Sequence, residues 1–362
     1  MSSRPKPRDD LQALEGYHSA QIEVPVRLNT NESPYPPPAE FVAEWLRALE
    51  TAPHHRYPDR DAGALKTALA GHLGQPAARV FPANGSNEVL QTILLTYGGH
   101  GRRALLFEPT YALHSHLARI TATEVIEGER DETFAIDLES AAELIARERP
   151  AVVFVCSPNN PTGTMERREV VTALVDLAAR SGAVLVVDEA YGEFAAWSAV
   201  ELVDDAVPLV VVRTYSKVWS LAAVRLGFGI GPEWLVAELD KVVLPYHLSL
   251  PTQLAGRLAL EYRDEMDRRV ASLIEERGRL FAALQSDSFD GVTVFPSGAN
   301  FLLFRVRGDG GAVWKALLSR GVLVRDFSRW PRLDECLRVT VGTPAENDAF
   351  LAALRGALQE VL

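Results

Sequence analysis

The sequence has little cysteine and no long apolar run, and each shortage excludes a class of protein. Only two of the 362 residues are cysteine, Cys156 and Cys336, too few for a disulfide framework or a cysteine-rich zinc site. The longest apolar runs stop at about six residues, whereas a membrane-spanning helix needs about 18 or more. The N-terminal ten residues lack the apolar core of a secretory signal. Together these features predict a cytoplasmic protein without a transmembrane segment.

Positive charge is also scarce. The chain has 37 Lys and Arg residues against 48 Asp and Glu, which gives a net charge of −11. Binding to a phosphate backbone needs a surplus of positive charge, so the composition argues against a nucleic-acid partner. Most of the basic residues are arginine, and a lysine in an unusual setting is therefore easy to notice.

The hydrophobic pattern differs between regions of the chain. After a proline-broken arm, short continuous runs of Val, Ile, Leu and Ala alternate with stretches at helical spacing, which indicates a mostly parallel sheet covered on both faces. Strands are predicted at 104–107, 123–126, 151–155, 183–187, 209–212 and 226–230. After Pro251, a long helical stretch precedes further short strands. The predicted units are an N-terminal arm (1–30), a large α/β domain (51–248) and a small α+β domain (31–50 with 249–362).

Polar side chains follow three of these predicted strands. Asn160 follows the strand at 151–155, Asp188 and Tyr191 follow the next, and Lys217 and Arg225 follow the one at 209–212. Ligands in open α/β sheets bind beyond the carboxyl ends of the strands, so these side chains are expected on one rim. Each alone has an ordinary alternative, namely a turn former, a helix cap, a paired arginine or a surface lysine.

Taken together, the five side chains match the needs of pyridoxal phosphate. This cofactor needs an amine for a Schiff base and a carboxylate against its ring nitrogen, for which Lys217 and Asp188 are the candidates. Donors to its phenolate oxygen would come from Asn160 and Tyr191, and a cation for its phosphate from Arg225.

A second anion-binding element lies at residues 84–88, Asn-Gly-Ser-Asn-Glu, which open a predicted helix. Free N–H groups and the helix dipole favour an anion there, and Gly85 lets the backbone approach closely. An N-cap by Ser86 or Asn87 is the alternative interpretation of the same residues.

The sequence resembles the fold-type I pyridoxal-phosphate-dependent aminotransferases, and within them the histidinol-phosphate aminotransferase group. The resemblance extends from about Leu11 to Leu358. The motifs that carry it are Arg27–Glu32, Arg56–Asp59, Ala83–Glu88, Pro109–Tyr111, Ser157–Gly163, Val187–Tyr191, Arg213–Lys217, Arg225–Gly227 and Leu337–Thr343.

The resemblance implies a seven-stranded sheet in the large domain, a homodimer with shared active sites and specific roles at the cofactor. Lys217 resembles the lysine that holds the cofactor as an internal aldimine and shuttles the proton in a ping-pong reaction. Asp188 resembles the partner of the pyridine nitrogen, and Tyr111 the ring stacked on the pyridine, although a core aromatic is the alternative for Tyr111. The resemblance also implies donors to the phenolate oxygen (Asn160, Tyr191), a phosphate cradle (Gly85, Ser86, Asn87, Thr214, Ser216, Arg225) and a tyrosine from the neighbouring subunit (Tyr57).

Substrate roles follow from the same resemblance. Arg338 matches the arginine that grips a substrate anion, and Arg325 matches a second one that the histidinol-phosphate group adds. Tyr17 in the arm, together with Asn31, completes the implied substrate site. A surface ion pair with Asp326 or Glu335 is the alternative for Arg325.

The implied reaction is transamination of L-histidinol phosphate with 2-oxoglutarate, yielding glutamate, in histidine biosynthesis. An aromatic amino acid aminotransferase is the first alternative, and a threonine-phosphate decarboxylase the second. No metal site is expected, because His114 and His116 are two positions apart on a predicted helix and face different ways.

Overall fold

The computed structural model describes residues 4–12, 14, 16 and 20–361. Helices and strands alternate along most of these residues. The elements up to the end of the large sheet are, in chain order, β1 (Val26–Arg27), α1 (Ala39–Glu50), α2 (Gly63–Leu73), β2 (Val80–Ala83), α3 (Gly85–Tyr97), β3 (Arg103–Glu108), α4 (Leu113–Ile120), β4 (Glu124–Glu129), α5 (Leu138–Glu148), β5 (Val152–Cys156), α6 (Arg168–Ser181), β6 (Val184–Asp188), β7 (Leu209–Thr214) and β8 (Gly227–Ile230).

Helices dominate the part of the chain that follows, and five short strands lie among them. These elements are α7 (Glu233–Val242), α8 (Leu250–Ala259), α9 (Arg263–Leu284), β9 (Val292–Val294), β10 (Phe301–Val306), α10 (Gly310–Ser319), β11 (Val322–Leu323), β12 (Arg325–Asp326), β13 (Cys336–Thr340) and α11 (Pro344–Val361). No helix among the described residues is long and apolar enough to cross a membrane.

The large sheet has seven strands in the order β2-β8-β7-β6-β5-β3-β4. The pairs from β7 to β4 are all parallel, and β8 alone runs antiparallel to both its neighbours. Alternate residues of β5 enter different cores: Val153 and Val155 pack on one face, and Val152 and Phe154 on the other. Both faces are therefore covered, as the continuous apolar runs predict. The predicted α/β fold with a mostly parallel seven-stranded sheet is confirmed.

A second, antiparallel sheet has the order β12-β13-β10-β9. The extended segment after α10 is divided at Val324 into two short strands: β11 pairs in parallel with β1, and β12 pairs with β13. The predicted long helix after Pro251 is also divided, by a 3₁₀ turn at Leu260–Tyr262 between α8 and α9. The predicted domain limits place β2–β8 in the large domain and β9–β13 in the small one, and they stay a prediction.

Among the elements without a counterpart in the sequence predictions are β1, β2 and α7. Proline cannot donate a hydrogen bond to a sheet, so Pro82 argues against a strand at 80–83. The structure resolves the conflict by placing β2 at the edge of the large sheet, where one side of the strand needs no partner.

Candidate functional site

A cavity of about 270 Å³ lies where the carboxyl ends of β5, β6 and β7 meet the small sheet. Its walls also include residues 29–32 of the N-terminal segment. The structure brings thirteen of the predicted site residues to this cavity: Asn31, Ser86, Asn87, Tyr111, Asn160, Asp188, Tyr191, Thr214, Ser216, Lys217, Arg225, Arg325 and Arg338.

The strand register explains why residues far apart in sequence converge. Cys156 at the end of β5 is opposite Asp188 at the end of β6, and Asp188 is opposite Val212 in β7. These three strands are parallel neighbours, so the segments that follow them leave the sheet at the same edge. Asn160, Tyr191 and Lys217 all come from those segments.

Asp188 is buried and has two hydrogen-bond partners. Its Oδ1 accepts from the backbone N–H of Ala190 (3.0 Å), and its Oδ2 lies 2.9 Å from Nε2 of His114. His114 is completely buried, with its ring stacked on that of Phe154 and nearly perpendicular to that of Tyr111. A buried carboxylate needs such partners to remain in place. We infer that His114 holds the Asp188 carboxylate in its orientation toward the cavity.

Lys217 is the amine of the site. Its Nζ donates a 2.9 Å hydrogen bond to the backbone carbonyl of Thr30 and lies 5.6 Å from the Tyr191 ring centre. Burial, with a smaller contribution from the positive charge of Arg338, lowers the pKa of Lys217 to about 7. An amine with such a pKa is neutral in a large fraction of molecules near pH 7, and the neutral form is the nucleophile and the base.

Tyr191 and Asn160 present donors to the cavity. The Tyr191 hydroxyl accepts from Nδ2 of Asn31 (2.9 Å), so its own O–H remains to donate. Burial raises the pKa of Tyr191 to about 12, which keeps this phenol protonated at neutral pH. The amide oxygen of Asn160 accepts from Nη1 of Arg338, which leaves the amide N–H groups as the donors.

The N-terminus of α3 forms an anion cradle with Arg225. Gly85 has a φ of +77°, and a Cβ there would lie 2.6 Å from Nη2 of Arg225. A Cβ at Gly227 would lie 2.3 Å from the backbone nitrogen of Ser86. Only glycine permits this approach of β8, Arg225 and the helix end. Ser216 contributes a hydroxyl 3.3 Å from Nη1 of Arg225, and Thr214 bonds to Ser216 (3.0 Å).

Arg325 and Arg338 lie directly opposite each other across β12 and β13. Residues opposite one another in an antiparallel pair project from the same face of the sheet, and like charges in such positions repel. The Arg338 guanidinium is 5.4 Å from the Phe327 ring centre, and that of Arg325 is 5.8 Å from the same ring. Arg338 is buried and also donates to the carbonyl of Asn29 (2.8 Å). Two guanidinium groups on one cavity wall are suited to binding an anion with several oxygens.

Tyr57 and Gly85 are the described site predictions that do not line the cavity. Tyr57 is 80% exposed and stacks on Tyr246, with ring centres 4.5 Å apart. Gly85 lies beneath the Arg225 guanidinium, as described above. The prediction for Tyr17 falls outside the described residues.

Sequence reasoning missed His114, Thr30, Phe327 and Trp330. The sequence offers His114 only as half of a possible metal pair, yet it stands three positions after Tyr111, and in the structure the two rings meet edge to face with centres 5.5 Å apart. Thr30 acts through its backbone carbonyl, which no side-chain pattern reveals. No group of three or more His, Cys, Asp or Glu side chains within the described ranges is arranged to hold a metal.

The donor set fits pyridoxal phosphate. The glycine-lined cradle with Arg225 is suited to a phosphate, the carboxylate of Asp188 to a pyridinium nitrogen, and the Lys217 amine to an aldehyde. The close approach of the Arg225 guanidinium to Gly85, which a Cβ would block, is the feature that a plain helix cap would not need.

The fold and this site define a fold-type I pyridoxal-phosphate enzyme. The family model described as aminotransferase class I and II matches residues 23–354, and the chain belongs to this family. It is 45% identical to the histidinol-phosphate aminotransferase of Frankia casuarinae over 96% of this chain and 89% of the relative. It is 43% identical to that of Mycolicibacterium smegmatis, over 96% of this chain and 92% of the relative.

Solved structures agree on the fold. The histidinol-phosphate aminotransferase from Sinorhizobium meliloti, determined in complex with pyridoxal-5'-phosphate, has a TM-score of 0.88 at 24% identity and covers 99% of both chains. The L-threonine-O-3-phosphate decarboxylase from Porphyromonas gingivalis has a TM-score of 0.80 at 22% identity, covering 92% of this chain and 99% of that one. One fold thus carries different reactions, and the substrate must be argued from the site and from the more similar relatives.

Proposed function

We propose that this protein is a histidinol-phosphate aminotransferase. It transfers the amino group of L-histidinol phosphate to 2-oxoglutarate in histidine biosynthesis, with pyridoxal phosphate as cofactor. The relatives that are 43–45% identical carry this name, which supports the assignment. The observation that carries it is the pair Arg325 and Arg338, opposite each other on the same cavity wall as Lys217.

The proposed cofactor would be held at both ends. The helix end at Ser86 and Asn87, with Arg225 and Ser216, would bind its phosphate, and Asp188 would bind its ring nitrogen. When bound, pyridoxal phosphate supplies an aldehyde for the donor amine and a ring that draws electron density from the donor's α-carbon. The His114 bond to Asp188 fixes the carboxylate on which this ring chemistry depends.

Lys217 is placed to remove the proton from the donor's α-carbon. Its neutral Nζ is the base that would take this proton and hold it for return, because a base is most effective when its pKa lies near the working pH. Tyr191 and Asn160, whose oxygens accept from Asn31 and Arg338, would use their remaining O–H and N–H groups to donate to the cofactor oxygen beside the reacting centre.

The arginine pair discriminates between phosphate and carboxylate donors. A phosphate has three acceptor oxygens and nearly two negative charges, so it can engage both guanidinium groups, whereas one carboxylate is satisfied by one. Hydrogen bonds to charged groups contribute roughly 1.5–3 kcal/mol, or about ten- to a hundred-fold in binding. Removal of Arg325 should therefore harm a phosphorylated donor more than an amino acid with a single carboxylate.

The test is a comparison of kcat/KM for histidinol phosphate and phenylalanine, with 2-oxoglutarate as acceptor, in the wild type and Arg325→Ala. We expect the wild type to prefer histidinol phosphate, and the variant to raise the KM of that donor about ten- to a hundred-fold. A wild type that prefers phenylalanine, with Arg325→Ala nearly silent, would assign the protein to aromatic amino acid transamination instead.

The proposal includes a homodimer in which Tyr57 reaches the cofactor phosphate of the partner subunit. Tyr57 and Leu244 are 80% and 75% exposed, and Tyr57 stacks on Tyr246 outside its own cavity. Mixing Lys217→Ala chains with Tyr57→Phe chains tests this. If Tyr57 crosses the interface, heterodimers carry both lesions in one site and leave the other intact, so activity should rise above that of either parent. A mixture no more active than the parental homodimers would show that Tyr57 does not reach the partner's site.

The proposed location is the cytoplasm. Both cysteines are buried thiols, and burial raises the pKa of Cys336 to about 11, which makes its oxidation slow. Two buried, unpaired thiols suit a reducing compartment.

A further inference from the structure

We propose that Trp330 is a specificity-determining residue that binds the planar ring of the amino donor. This inference rests on the proposed function for the identity of that ring, which would be the imidazole of histidinol phosphate. Trp330 lines the cavity together with Phe327, Arg325 and Arg338, and no role for it follows from the cofactor.

The position of Trp330 follows from the shape of the donor. Three arms leave the reacting carbon: the amine, the arm that carries the anion, and the arm that carries the ring. The amine must reach Lys217, and the anion must reach the arginine pair. The ring arm is left with the remaining wall, and Trp330 is the half-buried aromatic residue of that wall beside the arginines.

Phe327 links Trp330 to the anion site. The rings of Phe327 and Trp330 meet edge to face with centres 5.1 Å apart. Both guanidinium groups lie within 5.8 Å of the centre of the same Phe327 ring. The indole and the two arginines therefore share one support, and a donor anchored by its anion has its ring arm near the indole.

The turn that carries Trp330 is held rigidly. Trp330 N–H donates to the carbonyl of Phe327 (2.9 Å), and Leu333 N–H donates to that of Trp330 (3.0 Å). Arg332 ties the turn to the large domain by donating to the carbonyls of Glu108 (3.1 Å) and Asp131 (3.3 Å). A large apolar ring fixed at a cavity wall loses little entropy when a second ring packs on it.

A purely structural role for Trp330 makes a different prediction. Its packing against Phe134, Leu303, Phe327 and Leu333 would then explain its presence, and every substrate would suffer equally from its loss. A ring-binding role confines the loss to donors that carry a ring. A contact that is equally strong in the ground state and the transition state affects binding alone, so its removal raises KM and leaves kcat nearly unchanged.

The experiment measures the kinetics of two amino donors with two holoenzymes, the wild type and Trp330→Leu. The donors are histidinol phosphate and 2-aminopropyl phosphate, which has the same amine and phosphate but no ring. Trp330→Leu should reduce the preference for the ring-bearing donor about tenfold through KM, with the ringless donor and glutamate little affected. Trp330→Phe should restore most of the preference, and Trp234→Leu, which removes a partly exposed tryptophan on α7, should leave it unchanged.

An unchanged preference in Trp330→Leu would overturn the inference, and so would an equal loss for both donors. Phenylalanine and alanine form a second pair, with a ring arm and no phosphate. If the wild type does not use phosphorylated donors, the proposed function fails, and this second pair still decides the role of Trp330. Normal glutamate kinetics in Trp330→Leu show that the variant is folded.

Discussion

The cradle around Gly85 provides a sharp test of the cofactor site, through the substitution Gly85→Ala. Two effects follow from the geometry. At a φ of +77°, an alanine costs roughly 1–2 kcal/mol in backbone strain. In addition, the new Cβ would stand 2.6 Å from Nη2 of Arg225, so that the guanidinium must swing away. Because Arg225 has a flexible side chain, the protein should still fold.

A matched control separates the two effects. Gly182, after α6, has a φ of +75°, and a Cβ there would meet nothing within 4 Å. Gly182→Ala should therefore lose a similar stability of roughly 1–2 kcal/mol and leave Arg225 in place. Thermal unfolding should place both variants below the wild type by similar amounts.

Only Gly85→Ala should weaken the binding of the cofactor. Displacing Arg225 removes a charge-assisted hydrogen bond to the phosphate, and we expect the Kd for pyridoxal phosphate to rise about ten- to a hundred-fold. Titration of the cofactor-free protein, followed by visible absorbance, measures this Kd. If Gly85→Ala binds pyridoxal phosphate as tightly as Gly182→Ala, the cradle does not hold the phosphate.

Three further predictions concern the charged groups of the site. The rate at which Lys217 of the cofactor-free protein reacts with an aldehyde should rise with pH through about 7 and then level off, because only the neutral amine reacts; a midpoint near 10.5 would contradict the burial argument. Arg338→Met should move that midpoint to higher pH, since Arg338 lowers the pKa of Lys217, and an unmoved midpoint would exclude this coupling. His114→Phe should lower kcat/KM about ten- to a hundred-fold by leaving Asp188 Oδ2 without its partner, and unchanged kinetics would remove His114 from the site.

Much of the part of the site that would hold the cofactor could be predicted from the sequence, because its residues follow consecutive strands of one parallel sheet. Asn160, Asp188 and Lys217 each come shortly after an apolar run, and neighbouring runs became neighbouring strands in β5, β6 and β7. Local sequence thus carried the information: a buried strand marks where the chain leaves the sheet, and the next polar residues lie at the rim. Pro82 marks where this local reasoning fails, since position in the sheet decides whether proline is tolerated.

The substrate half depends on contacts that no local pattern encodes. Asn31 and Thr340 are 309 positions apart, yet the Thr340 hydroxyl accepts from the Asn31 backbone N–H (3.0 Å). Arg338 donates to the carbonyl of Asn29 across the same separation. Motif resemblance could assign a role to Arg338, but it could not show that an N-terminal backbone carbonyl receives the guanidinium.

These long-range contacts bind the N-terminal segment into the chemistry of the site. Within three consecutive residues, the carbonyl of Asn29 accepts from Arg338, the carbonyl of Thr30 accepts from Lys217, and the Asn31 amide donates to Tyr191. Arg338 belongs to the small sheet, whereas Lys217 and Tyr191 follow strands of the large one. A movement of β13 relative to the large sheet therefore changes the surroundings of the Lys217 amine as well as the position of the anion site. Since Arg338 also lowers the pKa of Lys217, binding of an anion at Arg338 and the basicity of Lys217 are coupled by charge and by backbone.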